Sequence, residues 1–333
     1  MSFALAPHHE VVLPHSPALL YNNLQLHHGG AYVSYATDSA VYTIQASTGA
    51  PHFPPLRFSR HHVRYLAALA DAAESIVLVV VLSGGMAIII VDGDQAHVLP
   101  KQAGDAALTC AAVARVAGRD EMLVAFGASN GIPLCCRYTL KGQPVPSVEG
   151  TAPVQAHASR SITALDLEAA GEGSSMMATG DAGGHVVLWT DSNPTLMIPP
   201  ESNTDAVTCV QLIPVRDTVA VAYGGGQIRL IERGSGAVAI TIQAHSRWIN
   251  SMVYSAAQQW LASAAEDGQL LLWDISSVDP NAVCIARGAV ANELPTGLAF
   301  VEDSCALLAA SYDVLALRFF FISDSGRSHG AME

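Results

Sequence analysis

Residues 244–275 read AHSRWINSMVYSAAQQWLASAAEDGQLLLWDI. His245 opens the stretch, Ser263, Asp267 and Trp273 close it, and short apolar runs of strand character fill the interval. The hydroxyl stands ten residues before the indole and the aspartate six before it. Such fixed distances between polar-tipped residues in a strand-rich segment ask whether the segment is one unit of a repeat.

It is. Stepping outward from Trp273, a short turn followed by an apolar strand recurs at Ile231, Trp189, Cys136, Ile90 and Ile44 on one side and at Phe319 on the other, with glycine in the turns that lead to Ile231, Trp189, Cys136 and Ile90. The anchors 44, 90, 136, 189, 231, 273 and 319 are spaced by 46, 46, 53, 42, 42 and 46 residues. This period is that of a four-stranded propeller blade, and the loop KGQPVPSVEGTAP at 141–153 accounts for the longest interval. Kelch repeats run longer. Short strands broken by Gly, Asp, Ser and Asn, without a long run of helical period, predict an all-β fold.

The segment resembles a WD40 repeat, in which a tryptophan, a hydroxyl, a histidine and an aspartate form a hydrogen-bonded chain within a blade. That resemblance assigns a structural tetrad to His245, Ser263, Asp267 and Trp273. Asp267 would fix the histidine tautomer, His245 would bond the hydroxyl and Ser263 would take the indole N–H, leaving no buried member unpaired. Partial tetrads are expected elsewhere. His157, Thr179 and Trp189 lack the aspartate at the matching position, which is Gly183, with Asp181 two places early. Asp313 keeps its spacing to Phe319, which replaces the indole. A Ser-His-Asp hydrolytic triad is the sharper reading of these residue types, but the spacing ties them to one blade and a nucleophile has to be exposed.

Across the chain, LLYNNLQ, VAYGGGQIRLIERGSGAVAITIQAH, AAEDGQLLLWDIS and SYDVLALR are similar, in that order, to the WD repeat domain fifty-four proteins, over roughly residues 18–320. The resemblance implies a non-enzymatic cytoplasmic propeller. The expectation is a seven-bladed WD40-type β-propeller over 1–322 with a flexible tail at 323–333. After Phe319 only FFI remains before that tail, so blade seven lacks a fourth strand. HEVVLP at 9–14 is expected to supply it and so close the ring.

The composition agrees with a globular chain. Half of the 333 residues are apolar and 14% are charged, with 27 glycines for turns. A formal charge of −13, with no offsetting basic cluster, argues against nucleic acid and anionic lipid as partners. The run SIVLVVVLSGGMAIIIV at 75–91 is short for a membrane span and is split by Gly84-Gly85 into strand-length pieces, so no membrane insertion is expected. Six cysteines without C-x-x-C spacing, and no signal peptide, read as reduced core thiols of a cytoplasmic protein.

Little else carries chemistry. GASNG at 127–131 matches a nucleophile elbow around Ser129, but a strand follows it rather than a helix. Eight of the 13 histidines lie in the first 62 residues, including the pairs His8-His9, His27-His28 and His61-His62. Neighbouring strand residues face opposite ways, so each pair offers at most one metal ligand, and no metal or cofactor is expected. GEGSS at 171–175 lacks the lysine of a phosphate cradle.

Function is therefore sought on the surface. By the WD40 resemblance, Trp248, Asn250, Glu266, Arg160, Ile162 and Tyr312 crowd the face around the channel and are the candidates for protein binding, with Trp248 as anchor. The alternative for Trp248 is packing into a neighbouring blade. The expected function is a protein-interaction scaffold whose partner segment carries Lys or Arg. A propeller enzyme, or a metal-binding protein using the histidine-rich first blades, is the alternative. After Trp273 the chain reads Asp274-Ile275-Ser276, without the arginine of a ligase-receptor Trp-Asp-x-Arg signature.

Overall fold

The computed structural model describes residues 3–69, 75–99, 106–145, 154–169, 174–200, 205–276, 283–301 and 306–324. Seven separate antiparallel sheets succeed one another along the chain. Blade one comprises Gln25–His27, Tyr32–Ala36, Ala40–Gln45 and Leu56–Arg57. Blade two comprises Val63–Ala68, Val77–Leu82, Met86–Val91 and Asp94–Leu99. Blade three has Leu108–Arg115, Glu121–Ala128 and Leu134–Thr139. Blade four has Ile162–Ala169, Ser175–Asp181, Val186–Thr190 and Asn193–Ile198. Blade five has Val207–Ile213, Thr218–Tyr223, Gln227–Glu232 and Val238–Gln243. Blade six has Ile249–Ser255, Trp260–Ala265, Gln269–Asp274 and Val283–Ala289. Blade seven has Pro295–Val301, Ala306–Ser311 and Ala316–Asp324.

First strands of consecutive blades pack side by side from blade one round to blade seven and back, so the sheets form a ring about a central channel. All seven sequence anchors fall on the third strand of their blades. The apolar run at 75–91 is the strand-turn-strand of blade two, with Gly84 and Gly85 at φ 86° and 80° in its turn. In blade three the place of the fourth strand is taken, among the described residues, by an isolated bridge between Tyr138 and Pro144, flanked by bonds from the Thr139 N–H to the Gln143 carbonyl and from the Val145 N–H to the Arg137 carbonyl, at 2.8 and 2.9 Å.

Second strands that are buried along most or all of their length account for much of the apolar content. Val77–Leu82 and Thr218–Tyr223 are buried at every position because each blade packs on both faces. The large side chains at blade interfaces include Tyr35, Phe126, Trp189 and Phe320, none more than 1% exposed. Gly226 shows what the turn requires. Its φ is 85°, and a Cβ there would lie 2.2 Å from the carbonyl oxygen of His245.

The ring is closed by Phe3–Val12, the outer strand of blade seven, paired antiparallel with Ala316–Asp324. This strand starts six residues before the expected 9–14 and ends two residues short of it. Its partner runs to Asp324, two residues into the expected tail, and residues 325–333 lie outside the described residues. Arg318 ties the seam, bonding Glu10 at 2.8 Å and also pairing with Glu293.

Candidate binding face

Two complete hydrogen-bonded tetrads stiffen the ring. In blade six, His245 Nδ1 lies 3.1 Å from Asp267 Oδ1, its Nε2 lies 2.8 Å from Ser263 Oγ, and Trp273 Nε1 donates to that hydroxyl at 3.1 Å. This pattern puts the histidine proton on Nδ1, facing the carboxylate, while the serine hydroxyl donates to Nε2. Burial pushes the His245 pKa down although Asp267 opposes the shift. Burial alone would raise Asp267, but N–H groups of Ser246 and Gln269 and the ring of His245 hold it below the usual carboxylate range.

Blade four holds the same arrangement more deeply. His157 Nδ1 is 2.9 Å from Asp181 Oδ2, its Nε2 is 2.7 Å from Thr179 Oγ1, and Trp189 Nε1 donates to Thr179 at 2.8 Å. The expectation of a partial tetrad here is corrected. Asp181, the last residue of its strand, reaches the histidine from two positions before Gly183 and also accepts the N–H groups of Gly183 and His185. In blade seven, by contrast, Asp313 takes no histidine among the described residues. It accepts the Ser16 hydroxyl at 3.3 Å, and Phe319 stacks on His9 with centroids 4.1 Å apart.

The upper face of the ring carries the turns between second and third strands and the links from one blade to the next. Beneath it, the second residue of the inner strand bulges in blades two to seven. Three of these bulged side chains bond the carbonyl that begins the next blade: Thr109 to Ile162 at 2.6 Å, Thr163 to Val207 at 2.6 Å and Asn250 to Pro295 at 3.0 Å. Two candidate contact residues are thereby withdrawn from the surface, since Ile162 is 0% and Asn250 1% exposed. Arg160, Glu266 and Tyr312 remain exposed, and Trp248 is half-buried.

Trp248 lies over Gly224 of blade five, where a Cβ would come within 2.5 Å of its Cζ3. Its other side faces Tyr21, the two rings nearly parallel with centroids 6.4 Å apart. Tyr21 belongs to the link from the closing strand to blade one, which crosses the channel mouth. Asn22, at φ 50°, directs its Oδ1 at Ser251 Oγ and the Met252 N–H, at 3.0 and 3.1 Å, while its own N–H bonds the Asn250 carbonyl at 3.1 Å. Asn23, fully buried, exchanges two bonds of 2.8 Å with the backbone of Ala36. The link is a lid fixed to blades one, six and seven.

Below the lid, Asp166 of blade four accepts from the N–H groups of Leu212 and Leu167 and from the Gln211 amide, at 2.7, 2.9 and 2.9 Å. Burial raises its pKa to about 6. Cys110 and Cys209 are pushed up to about 12 by burial, and burial also raises Tyr65, so thiols and phenol stay protonated at neutral pH. Among the described residues no nucleophile lies within hydrogen-bonding distance of Asp166. Sequence reasoning missed both Asn22 and Asp166, since convergence in the channel leaves no local pattern.

The remaining sequence candidates occupy structural places. Ser129 exchanges backbone and hydroxyl bonds with Ala107 in a turn, at 2.8 and 3.0 Å. His61 bonds the Ser83 carbonyl and His62 the Asp38 carboxylate, at 3.0 and 2.7 Å. Among the described residues no three His, Cys, Asp or Glu side chains converge as a metal site would need, and no helix is long and apolar enough to cross a membrane. Cys305, residues 146–153 of the long loop and the first three residues of GEGSS lie outside the described residues.

The family model described as WDR54 matches residues 27–322. The chain belongs to the WDR54 family. Among curated relatives, the rat protein called WD repeat domain 54 is 30% identical over 175 residues, covering 52% of this chain and 51% of the relative. The mouse WD repeat-containing protein 54 is 29% identical over the same shares. The aligned stretch therefore spans about half the length of the curated relatives it matches. Among solved structures, a chain of the Mitotic Checkpoint Complex aligns with TM-score 0.74 and 18% identity, over 96% of this chain and 95% of that one. Chaetomium thermophilum Raptor aligns with TM-score 0.73 and 12% identity, over 97% of this chain and 30% of that one. At these identities the likeness shows a common propeller fold and no more. The WDR54 match begins at His27, so the closing strand and the lid both precede the matched region.

Proposed function

We propose that this WDR54-family propeller works without catalysis as a scaffold that docks a protein segment on its upper face. The observation that carries the reading is an open groove of ≈ 720 Å³ on that face, at the junction of blades seven, one and two, with the lid segment His15–Leu20 along it. Leu19 and Tyr312 border it and are 53% and 46% exposed. Large apolar groups beside a concave surface on a rigid ring suit recognition of another chain. Asn22 and Trp248 occupy the channel mouth, so a partner is offered the groove and its rim rather than the lumen. Tyr312, Arg160 and Glu266 stay available for contact, whereas Trp248 serves mainly to pack the lid. The five cysteines among the described residues are free thiols, two of them pushed up to about 12 by burial, and this supports a cytoplasmic place of work.

The test is capture of partners by the tagged full chain and by a Leu19→Ser/Tyr312→Ala variant with unchanged melting temperature. A protein retained by the wild type and lost by the variant supports the scaffold reading. Equal capture by both moves the docking surface elsewhere, and turnover by the purified chain would contradict the non-catalytic role.

A further inference from the structure

Charge in this protein is unevenly placed. Of 29 acidic residues only Glu10 and Asp38 precede position 65, yet Arg57, Arg60, Arg64 and eight of the 13 histidines do. The groove lies within this part of the molecule. Arg57 and Arg64 both line it, both are exposed, and neither forms an ion pair or side-chain hydrogen bond among the described residues. Its two carboxylates already have partners of their own. Asp38 is engaged by His62 at 2.7 Å, and Asp313 accepts the Ser16 hydroxyl at 3.3 Å. Two unpaired guanidinium groups therefore stand beside apolar surface from Leu19, Leu20 and Tyr312.

From this arrangement we infer that the groove receives an acidic peptide segment of a partner protein, its carboxylates on Arg57 and Arg64 and an apolar side chain against Leu19 and Tyr312. The inference rests on the scaffold reading and names its partner class. A guanidinium offers a planar fork of donors matched to a carboxylate, and a pair without internal partners loses no existing bond on binding. The net charge of −13 slows approach of any acidic partner, so the attraction is local and contact-range. That same charge disfavours nucleic acid, whose phosphates would meet acidic surface beyond two arginines. The basic partner segment expected around Trp248 and Glu266 finds no such pair of unmatched charges, and the groove favours the opposite sign.

The experiment is selection of randomised displayed peptides against the full chain, with the best binder measured by fluorescence anisotropy. The expected binder carries Asp or Glu beside Leu or Phe. Its affinity falls by about tenfold or more in an Arg57→Glu/Arg64→Glu variant and as salt is raised. It changes little in an Arg115→Glu/Arg287→Glu variant, which alters net charge equally at exposed sites away from the groove. Thermal unfolding of each variant confirms that it is folded, and Tyr312→Ala gives a second reading without charge change. Selection of basic or uncharged peptides, no selection at all, or equal loss in both double variants overturns the inference. So does an oligonucleotide or anionic vesicle bound through Arg57 and Arg64 more tightly than the peptide. A captured partner that ignores the groove variants but binds elsewhere on the ring leaves the scaffold reading standing and removes this one.

Discussion

Asp181 lies 2.9 Å from His157 Nδ1, although it stands two positions before the place where the repeat pattern puts an aspartate. Both side chains of this pair are fully buried, whereas in blade six the Asp267 side chain keeps 13% of its surface exposed. The tetrad in blade four is thus the more enclosed of the two. Thr179→Ala is expected to cost about 1–3 kcal/mol by stranding the His157 ring and the Trp189 indole, and at least as much as Ser263→Ala. Urea unfolding of the two variants checks the order, and a smaller loss for Thr179→Ala contradicts it.

Trp248 and Gly224 are predicted to be coupled. A methyl group at 224 meets the indole at 2.5 Å, so Gly224→Ala is expected to destabilise by about 1–3 kcal/mol through overpacking. In a Trp248→Ala background the same change costs little, giving an interaction energy of about 0.5–3 kcal/mol in a double-mutant cycle. Additive losses would mean that the indole does not rest on the glycine.

The seam offers a third test. Leu5 is 5% exposed and packs against the core shared by blades six and seven, so Leu5→Ala is expected to lose about 2–5 kcal/mol despite its place near the start of the chain. Glu10, on the exposed side of the same strand, is expected to lose under about 1 kcal/mol when changed to Ala. Equal, small effects in a melting experiment would place the closing strand off the ring.

Two buried groups give opposed pH dependence. Burial, with smaller effects from His28 and His52, lowers His27 from 6.5 to about 4, so its contribution is present above pH 6.5 and lost as pH falls towards 4. Burial raises Asp166 from 3.8 to about 6, so its contribution is present below pH 3.8 and lost as pH rises through about 6. Each spans about 3 kcal/mol, and between pH 4 and 6 they offset one another. Asp166→Asn is expected to steepen the loss of stability on acidification over that window, and His27→Gln to flatten or reverse it. Unfolding titrations that give parallel curves for both variants and the wild type would refute the assignment.

The ring was legible because its signal repeats. A short turn and an apolar third strand recur seven times, with glycine in five of the turns, and blade six states the tetrad at full spacing through His245, Ser263, Asp267 and Trp273. Where a single residue departs from the period, the reading weakened. Asp181 reaches its histidine by a local turn, and Asn250 and Ile162 turn inward at a bulge that a strict period of two does not show. The lid was out of reach for a different reason. Nothing in LLYNN tells that Asn22 adopts a left-handed backbone and bonds residues more than two hundred positions away. The groove, likewise, exists only where blade seven meets blade one.

Hydrogen–deuterium exchange of the full chain, alone and with its captured partner, tests the docking claim most directly. The account predicts new protection in peptides covering 15–20, 37–42, 57–64 and 312–313, which border the groove, with little change on the outer strands of blades four and five. Protection confined to those outer strands, or to the underside of the ring, would contradict it.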